Sequence, residues 1–202
     1  AILATGVRPR LPNIEGIGNP NVIGYADVLN GSTKLGGRVA IVGGGGIAFD
    51  VALYLLEVDD PSFTDPDAFR RRWGIGHPLP EIEPSYQITM MQRSEGPMGR
   101  RLGKSTGWVH RAIMKQNRVR QISGVRYERI DEKGIYIEVG GVTELVVADT
   151  IVICAGQEVR AELAAGLTAS GVDLYVIGGA NRAAELDAER AISEGMLAAS
   201  RI

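Results

Sequence analysis

The stretch Val39-Ala-Ile-Val-Gly-Gly-Gly-Gly-Ile-Ala-Phe-Asp50 constrains this chain most. A short apolar β-branched run meets four glycines. Apolar residues at helical spacing then follow, through Val51, Tyr54, Leu55 and Val58. That order predicts a strand over 38–42, a tight turn and a helix over 47–58. The start of such a helix offers unpaired N–H groups and the positive end of its dipole to a phosphate. Within the run, Gly43-x-Gly45-x-x-Ala48 follows the dinucleotide fingerprint. Gly43 serves the turn, Gly45 lets the backbone approach a pyrophosphate, and Ala48 lets the helix lie close to the strand. Gly46 and Ile47 complete the candidate phosphate-binding set. A glycine-rich turn in some other α/β protein fits the same residues, so the neighbouring segments have to discriminate.

The second strand does so. It is predicted over 87–92 and runs into Met91-Gln92-Arg93-Ser94. In a dinucleotide fold this position faces the adenosine ribose, where a carboxylate selects NAD and an arginine can hold the 2′-phosphate of NADP. No carboxylate ends this strand. Arg93 can bind phosphate in a bidentate way, and Ser94 adds a donor. NADPH is therefore preferred over NADH. From Arg93 to Arg120 there are eight Lys/Arg and one acid, Glu95, although the whole chain carries a net charge of −2. Trp108 is the one aromatic residue there, so a small anion fits this stretch better than nucleic acid. Gly103-Lys104-Ser105 looks like the tail of a phosphate-binding P-loop, but Met98 stands where that motif needs glycine. A nucleoside triphosphatase is thereby rejected. Lys104 is kept as a candidate phosphate neighbour, alongside the reading of a plain surface lysine.

At 202 residues the chain is long enough for one large domain or two small ones. No apolar run approaches the ~18 residues needed to span a bilayer, and no signal peptide is visible, so neither a membrane nor nucleic acid is an expected partner. The sole cysteine, Cys154, excludes an intrachain disulfide and reads as a buried small hydrophobe. His77 and His110 lack ligand-like spacing, so no metal site is expected.

Residues 1–6 read as a buried strand ending in glycine, and 7–35 as a linker with a short helix over 25–29. Residues 59–84, with five prolines, several acids and Arg70-Arg71-Arg72-Trp73, read as an insertion. A helix over 106–117, a strand over 119–122 and a β-meander over 126–130, 135–139 and 144–147 follow. Apolar strands are expected over 150–155 and 174–177, with a last helix over 185–202. Leu3-Ala-Thr-Gly6 and Ile153-Cys-Ala-Gly156 echo each other and bracket the glycine-motif domain. The simplest organisation is one domain inserted into another: 36–156 binds NADPH, while 1–6 and 157–202 belong to a host. The chain starts without Met, and an excised piece of a longer protein is expected. An independent 202-residue domain is the alternative.

Several blocks together resemble the bacterial NADPH-dependent 2,4-dienoyl-CoA reductases. They are the glycine run, the strand ending Met-Gln-Arg, Leu102-Gly-Lys-Ser-Thr-Gly-Trp-Val-His-Arg111, Val152-Ile-Cys-Ala-Gly-Gln-Glu158, and Ile177-Gly-Gly-Ala with Glu185-Leu-Asp-Ala-Glu-Arg-Ala-Ile192. The resemblance runs nearly end to end and includes Trp73-Gly-Ile75. It implies an α/β, Rossmann-like three-layer nucleotide-binding domain of the two-dinucleotide-binding flavoprotein type. A β-meander and partial segments of an FAD domain accompany it. It further implies hydride passage from NADPH to FAD in a cytoplasmic enzyme that reduces unsaturated fatty acyl-CoA. FMN and a [4Fe–4S] cluster would belong to an N-terminal part outside this chain. By the same resemblance Gly156 and Gln157 lie near the nicotinamide, and Gly178, Gly179 and Ala180 contact FAD. The wider superfamily has Gly-Asp where this chain has Gly178-Gly179. No side chain here is needed as a catalytic acid or base. The fragment's partners would be its nucleotides and the rest of its own polypeptide, with self-association through the surface left by truncation. Sister flavoproteins of the enoate-reductase or trimethylamine-dehydrogenase type, and a non-catalytic nucleotide-binding module, are the competing readings.

Overall fold

The structure is a computed structural model that describes residues 1–57, 60–184 and 186–202, with Phe63 described by its backbone alone. The expected helix end at Val58, the start of the insertion at Asp59 and the start of the last helix at Glu185 lie outside the described residues. The chain divides into two compact units, one of residues 1–10 with 155–202 and the other of residues 11–154.

The first unit opens with β1 (Ile2–Leu3) and β2 (Val7–Pro9). The second unit carries β3 (Val22–Gly24), α1 (Tyr25–Leu29), β4 (Arg38–Val42), α2 (Gly46–Glu57) and α3 (Pro66–Arg72). It continues with β5 (Gln87–Gln92), α4 (Gly107–Gln116) and β6 (Arg120–Ser123). The meander β7 (Arg126–Asp131), β8 (Gly134–Val139) and β9 (Val142–Val147) precedes β10 (Thr150–Ile153). The first unit resumes with β11 (Gln157–Val159), α5 (Leu163–Ala169), β12 (Tyr175–Val176) and α6 (Ala188–Ala199).

In the second unit five parallel strands lie in the order β3-β10-β4-β5-β6. Alternation along β4 sends Val39 and Ile41 to one face and Ala40 and Val42 to the other, and all four are buried. On the first face Val39, Ile41, Met90 and Val152 pack with Phe49, Val51, Ala52 and Leu55 of α2 and with Ile113 and Met114 of α4. The fully buried Phe49 ring alone contributes roughly 2–3 kcal/mol of burial free energy. The opposite face meets the meander through β4–β9 and β8–β10 contacts, with Ile135 and Ile137 wholly buried. The result is three layers: helices, parallel sheet and antiparallel meander. A strand covered on both faces reads as a continuous apolar run, which is why β4 and β5 have their predicted bounds.

Two expectations need correction. Residues 7–35 are not a plain linker: β3 forms an edge of the parallel sheet, and β2 pairs antiparallel with β11. Both strands are three residues long, and the Val-Ile-Gly of β3 and the Val-Arg-Pro of β2 are runs too short to declare a strand. Residues 1–6 are not a buried strand either. Only Ile2–Leu3 pair, with β12, and Ile2 is 46% exposed. This is a two-stranded parallel sheet in which Leu3 is buried and Tyr175 and Val176 are half-buried, far smaller than parallel sheets usually are.

Candidate functional site

The glycine run sits at the carboxyl end of β4, flanked by the ends of β10 and β5. This is the edge of an open α/β sheet where ligands bind. Gly43 has φ +144°, and a Cβ there would collide with the carbonyl of Cys154. A Cβ on Gly44 would strike the Gln92 side chain. These two glycines let the turn close against both neighbouring strands. The Gly43 N–H donates to Met91 O (2.8 Å), and Cys154 N–H donates to Val42 O (2.9 Å). The Tyr127 hydroxyl of the meander also donates to Met91 O, at 2.8 Å. Burial pushes the Tyr127 phenol well above its usual range, so it remains a neutral donor at any ordinary pH.

Gly45 and Gly46 behave differently. Both are exposed, and nothing lies within 4 Å of where their Cβ atoms would be. Gly46 begins α2; the N–H groups of Ala48 and Phe49 donate to Gly45 O (3.1 and 3.2 Å), which leaves those of Gly46 and Ile47 ahead of the first bonds of the helix. Ile47 is half-buried and Ala48 fully buried against the sheet. The open backbone and helix end have the shape and polarity a pyrophosphate needs.

The segment between β5 and α4 is tied to this turn. Gly99 N–H donates to Gly44 O at 3.3 Å, and Gly99 lies on the Phe49 ring, where a Cβ would come within 2.9 Å of Cζ. Arg111 Nη1 donates to Gly99 O at 3.3 Å, and Met98 is buried beneath. Gln92 Nε2 and the Ser123 hydroxyl both donate to Gly96 O, at 2.9 and 2.7 Å. The tethered segment presents Arg93, Ser94, Arg100, Arg101 and Lys104, all exposed. Among the described residues none of these four cations has a carboxylate partner. Farther along, Arg118 pairs with Glu81 (2.5 Å) and Arg120 with Glu144 (2.6 Å). The sequence pointed to Arg93, Ser94 and Lys104. It missed Arg100 and Arg101, and it missed the Gly99–Gly44 bond that draws the segment to the turn.

Cys154 is buried, and its thiol is pushed up to about 12, mainly by burial and secondarily by the charge of Asp50. It is a packing residue. Among the described residues no three His, Cys, Asp or Glu side chains gather as a metal site, and no helix is long and apolar enough to cross a membrane. A one-cysteine chain does not fit an iron–sulfur cluster.

The other candidate residues lie in the first unit. Gly156 has φ +96° beside the Arg10 guanidinium, which donates through Nε to Ala155 O at 2.9 Å. Gln157 opens β11 opposite Pro9. Gly178, Gly179 and Ala180 form a 3₁₀ turn after β12. The Gly178 N–H donates to Glu194 Oε2 of α6 at 2.5 Å. A Cβ on Gly179 would lie 2.9 Å from Val7 Cγ1 and 3.0 Å from the Gly6 carbonyl carbon. Ala180 is buried. These residues alone do not make a flavin cradle, because one N–H is already held by a carboxylate and one glycine is occupied in packing.

A family model for pyridine nucleotide-disulphide oxidoreductases matches residues 1–186. A metal reductase from Desulforamulus reducens is 28% identical over 191 residues, covering 89% of this chain and 27% of that protein. A mercuric reductase from Staphylococcus aureus is 23% identical over 165 residues, covering 80% and 25%. The chain thus spans about a quarter of the length of these curated relatives. Among solved structures, a 2-naphthoyl-CoA reductase in complex with 2-naphthoyl-CoA superposes with a TM-score of 0.75 at 23% identity, over 96% of this chain and 25% of that one. Thioredoxin reductase from T. acidophilum gives 0.66 at 15% identity, over 98% and 63%. Both structural likenesses speak for the fold, a Rossmann-like α/β nucleotide-binding architecture. The match over residues 1–186 says more: the chain belongs to the pyridine nucleotide-disulphide oxidoreductase family, which implies FAD and NAD(P)H as its nucleotides.

Proposed function

We propose that residues 36–156 bind NADPH and that residues 1–6 and 157–202 are part of an FAD-binding domain in a longer flavoprotein reductase. The observation that carries this reading is the set of four uncompensated cations on a segment hydrogen-bonded to the open glycine turn. The turn Gly43–Ala48 holds the pyrophosphate: Gly45, Gly46 and Ile47 present the backbone, while Gly43 and Ala48 close the turn and the helix against the sheet. Arg93, with Ser94, takes the adenosine 2′-phosphate, and Lys104 adds positive potential. Gly156 and Gln157 lie toward the nicotinamide. Gly178, Gly179 and Ala180 lie toward the flavin, with segments outside this chain completing that site. The reduction of the first unit's parallel sheet to the two short strands β1 and β12 supports the idea of an incomplete domain. When bound, the nicotinamide supplies a hydride and the flavin accepts it. The chain's own task is to bind, orient and exclude water, because the cofactors carry the chemistry.

For the whole protein we infer a 2,4-dienoyl-CoA reductase, with FMN and a [4Fe–4S] cluster carried outside this chain. The specific block Leu102–Arg111 supports this. So does the likeness of fold to a reductase of another conjugated acyl thioester, 2-naphthoyl-CoA. The 28% identity to a metal reductase favours a second reading, in which the same NADPH-to-flavin half serves a different acceptor. The test is NADPH oxidation by the full polypeptide with either a 2,4-dienoyl-CoA or a ferric chelate. Turnover with the thioester and little with the chelate is expected; the reverse selects the second reading.

A further inference from the structure

Arg111 is a cation to which the nucleotide reading gives no task. It lies in the second turn of α4, and among the described residues no carboxylate pairs with it. Its guanidinium holds a backbone carbonyl instead: Nη1 donates to Gly99 O at 3.3 Å. Side chains on a helix lean toward its N-terminus, so Arg111 passes over Gly107, one turn earlier. A Cβ on Gly107 would lie 3.3 Å from Arg111 Nη1 and 2.8 Å from Leu102 Cβ. The bare glycine is the gap through which the guanidinium reaches the segment between β5 and α4.

Gly99 is gripped from both sides. Its carbonyl also accepts from the Leu102 N–H at 3.1 Å, and its own N–H donates to Gly44 O at 3.3 Å. Its φ is +69°, and Leu102 Cδ1 and the Phe49 ring leave no room for a Cβ. The line Arg111–Gly99–Gly44 thus runs from α4, through one residue of the basic segment, to the glycine turn. A second tie runs beside it. The Gln92 side chain fills the space a Gly44 Cβ would take, and its Nε2 donates to Gly96 O, which also accepts from Ser123. Arg100 and Arg101 follow Gly99 directly. A Cβ on Gly96 would lie 3.5 Å from Arg100 Nη1, so the Arg100 guanidinium folds back over the turn that begins at Arg93 and Ser94.

We propose that Arg111 is a positioning residue for the nucleotide site. Its bond to Gly99 O keeps the Gly99 peptide on Gly44, and so keeps Arg100 and Arg101 beside Arg93, where the adenosine 2′-phosphate is read. Arg111 does not touch the nucleotide; it acts through the residues that follow Gly99. Fixing that backbone beforehand lowers the ordering cost of binding. The inference rests on the nucleotide reading and adds to it the device that sets the cations in place.

The test is a double-mutant cycle on the whole chain, read as the Kd of NADPH and of NADH. Arg111→Met keeps the aliphatic stem and removes the guanidinium. It should weaken NADPH by about fivefold or more and NADH by less than about twofold. Arg100→Ala combined with Arg101→Ala should weaken NADPH by about tenfold. In that background Arg111→Met should change the NADPH Kd by less than about twofold, because the residues it positions are gone. An equal loss in both backgrounds makes Arg111 act on the nucleotide by itself and overturns the proposal, as does no loss in either. Amide hydrogen exchange of the free chain follows the bond directly. Arg111→Met should speed exchange at Gly99 by about tenfold and leave the Gly124 N–H, which donates to Ser94 O at 3.1 Å, unchanged. Unchanged exchange at Gly99, or equal acceleration at both amides, overturns the proposal. An unsubstituted chain that binds neither nucleotide removes the nucleotide reading and this inference together. A chain that prefers NADPH and keeps that preference in Arg111→Met removes this inference alone.

Discussion

Two glycine turns follow apolar strands in this chain, and they are built for different purposes. In the turn after β4, Gly43 and Gly44 are consumed by close packing, while Gly45 and Gly46 face open space at the start of a 12-residue helix. In the turn after β12, the Gly178 N–H already donates to Glu194, and Gly179 is pressed against Gly6 and Val7. Both look alike as sequence. The first presents free backbone to a ligand; the second spends its backbone on the protein itself. A glycine after a strand therefore indicates a ligand site only when its missing Cβ would point into empty space and its N–H is not already held by the protein, a condition Gly178 fails through Glu194.

The largest effect that tests this contrast is chemical. The seam between Gly43 and Cys154 leaves the thiol buried, with its pKa pushed up to about 12. An ordinary thiol titrates near 8.5, so at pH 8 the thiolate fraction of Cys154 is lower by roughly a thousandfold. Alkylation by iodoacetamide should be slower than that of glutathione by about that factor. The rate should rise about tenfold per pH unit up to about pH 11, because pH is approaching the pKa from below. Rapid labelling at pH 8 breaks the claim that the seam is closed. Next in size is Gly43→Ala. Its Cβ meets backbone, and its φ suits no other residue, so a loss of about 3 kcal/mol is expected in urea unfolding. Gly179→Ala should cost about 1–2 kcal/mol, since its nearest obstacle includes a side-chain methyl that can yield. Gly45→Ala sharpens the contrast from the other side. Its stability should change by less than about 0.5 kcal/mol, while NADPH affinity falls at least severalfold. A large stability loss at Gly45 with unchanged affinity would place it with the packing glycines.

What the sequence made legible follows burial. The strand β4 is apolar on both faces, β5 carries its buried Ile88, Met90 and Met91 between two glutamines, and the bounds of both match residue for residue. The meander announced itself through alternation, because only one of its faces is covered. The strands β2, β3 and β11 did not, being three residues each and largely polar or half-exposed. Helix α5 was missed because its seven residues, Leu-Ala-Ala-Gly-Leu-Thr-Ala, are too few for a helical period to show and carry no polar face, and none of them is buried. At the candidate site, the glycine turn after β4 and the place of Arg93 just beyond β5 were readable because residue type and strand order determine them, while their ligand remains the proposal. The tether of Gly99 to Gly44 is a backbone bond between residues 55 positions apart, and no side-chain pattern encodes it. Arg100 and Arg101 gained their place from that bond.

The central claim is that Arg93, on the tethered basic segment, reads the 2′-phosphate. The direct measurement is the Kd of NADPH and of NADH, by quenching or enhancement of nicotinamide fluorescence, for the chain and for Arg93→Ala. Loss of a charge-assisted hydrogen bond of about 1.5–3 kcal/mol predicts a tenfold to hundredfold weaker NADPH complex, with NADH changed less than about twofold. Equal weakening for both nucleotides, or NADH already bound as tightly as NADPH by the unsubstituted chain, contradicts it.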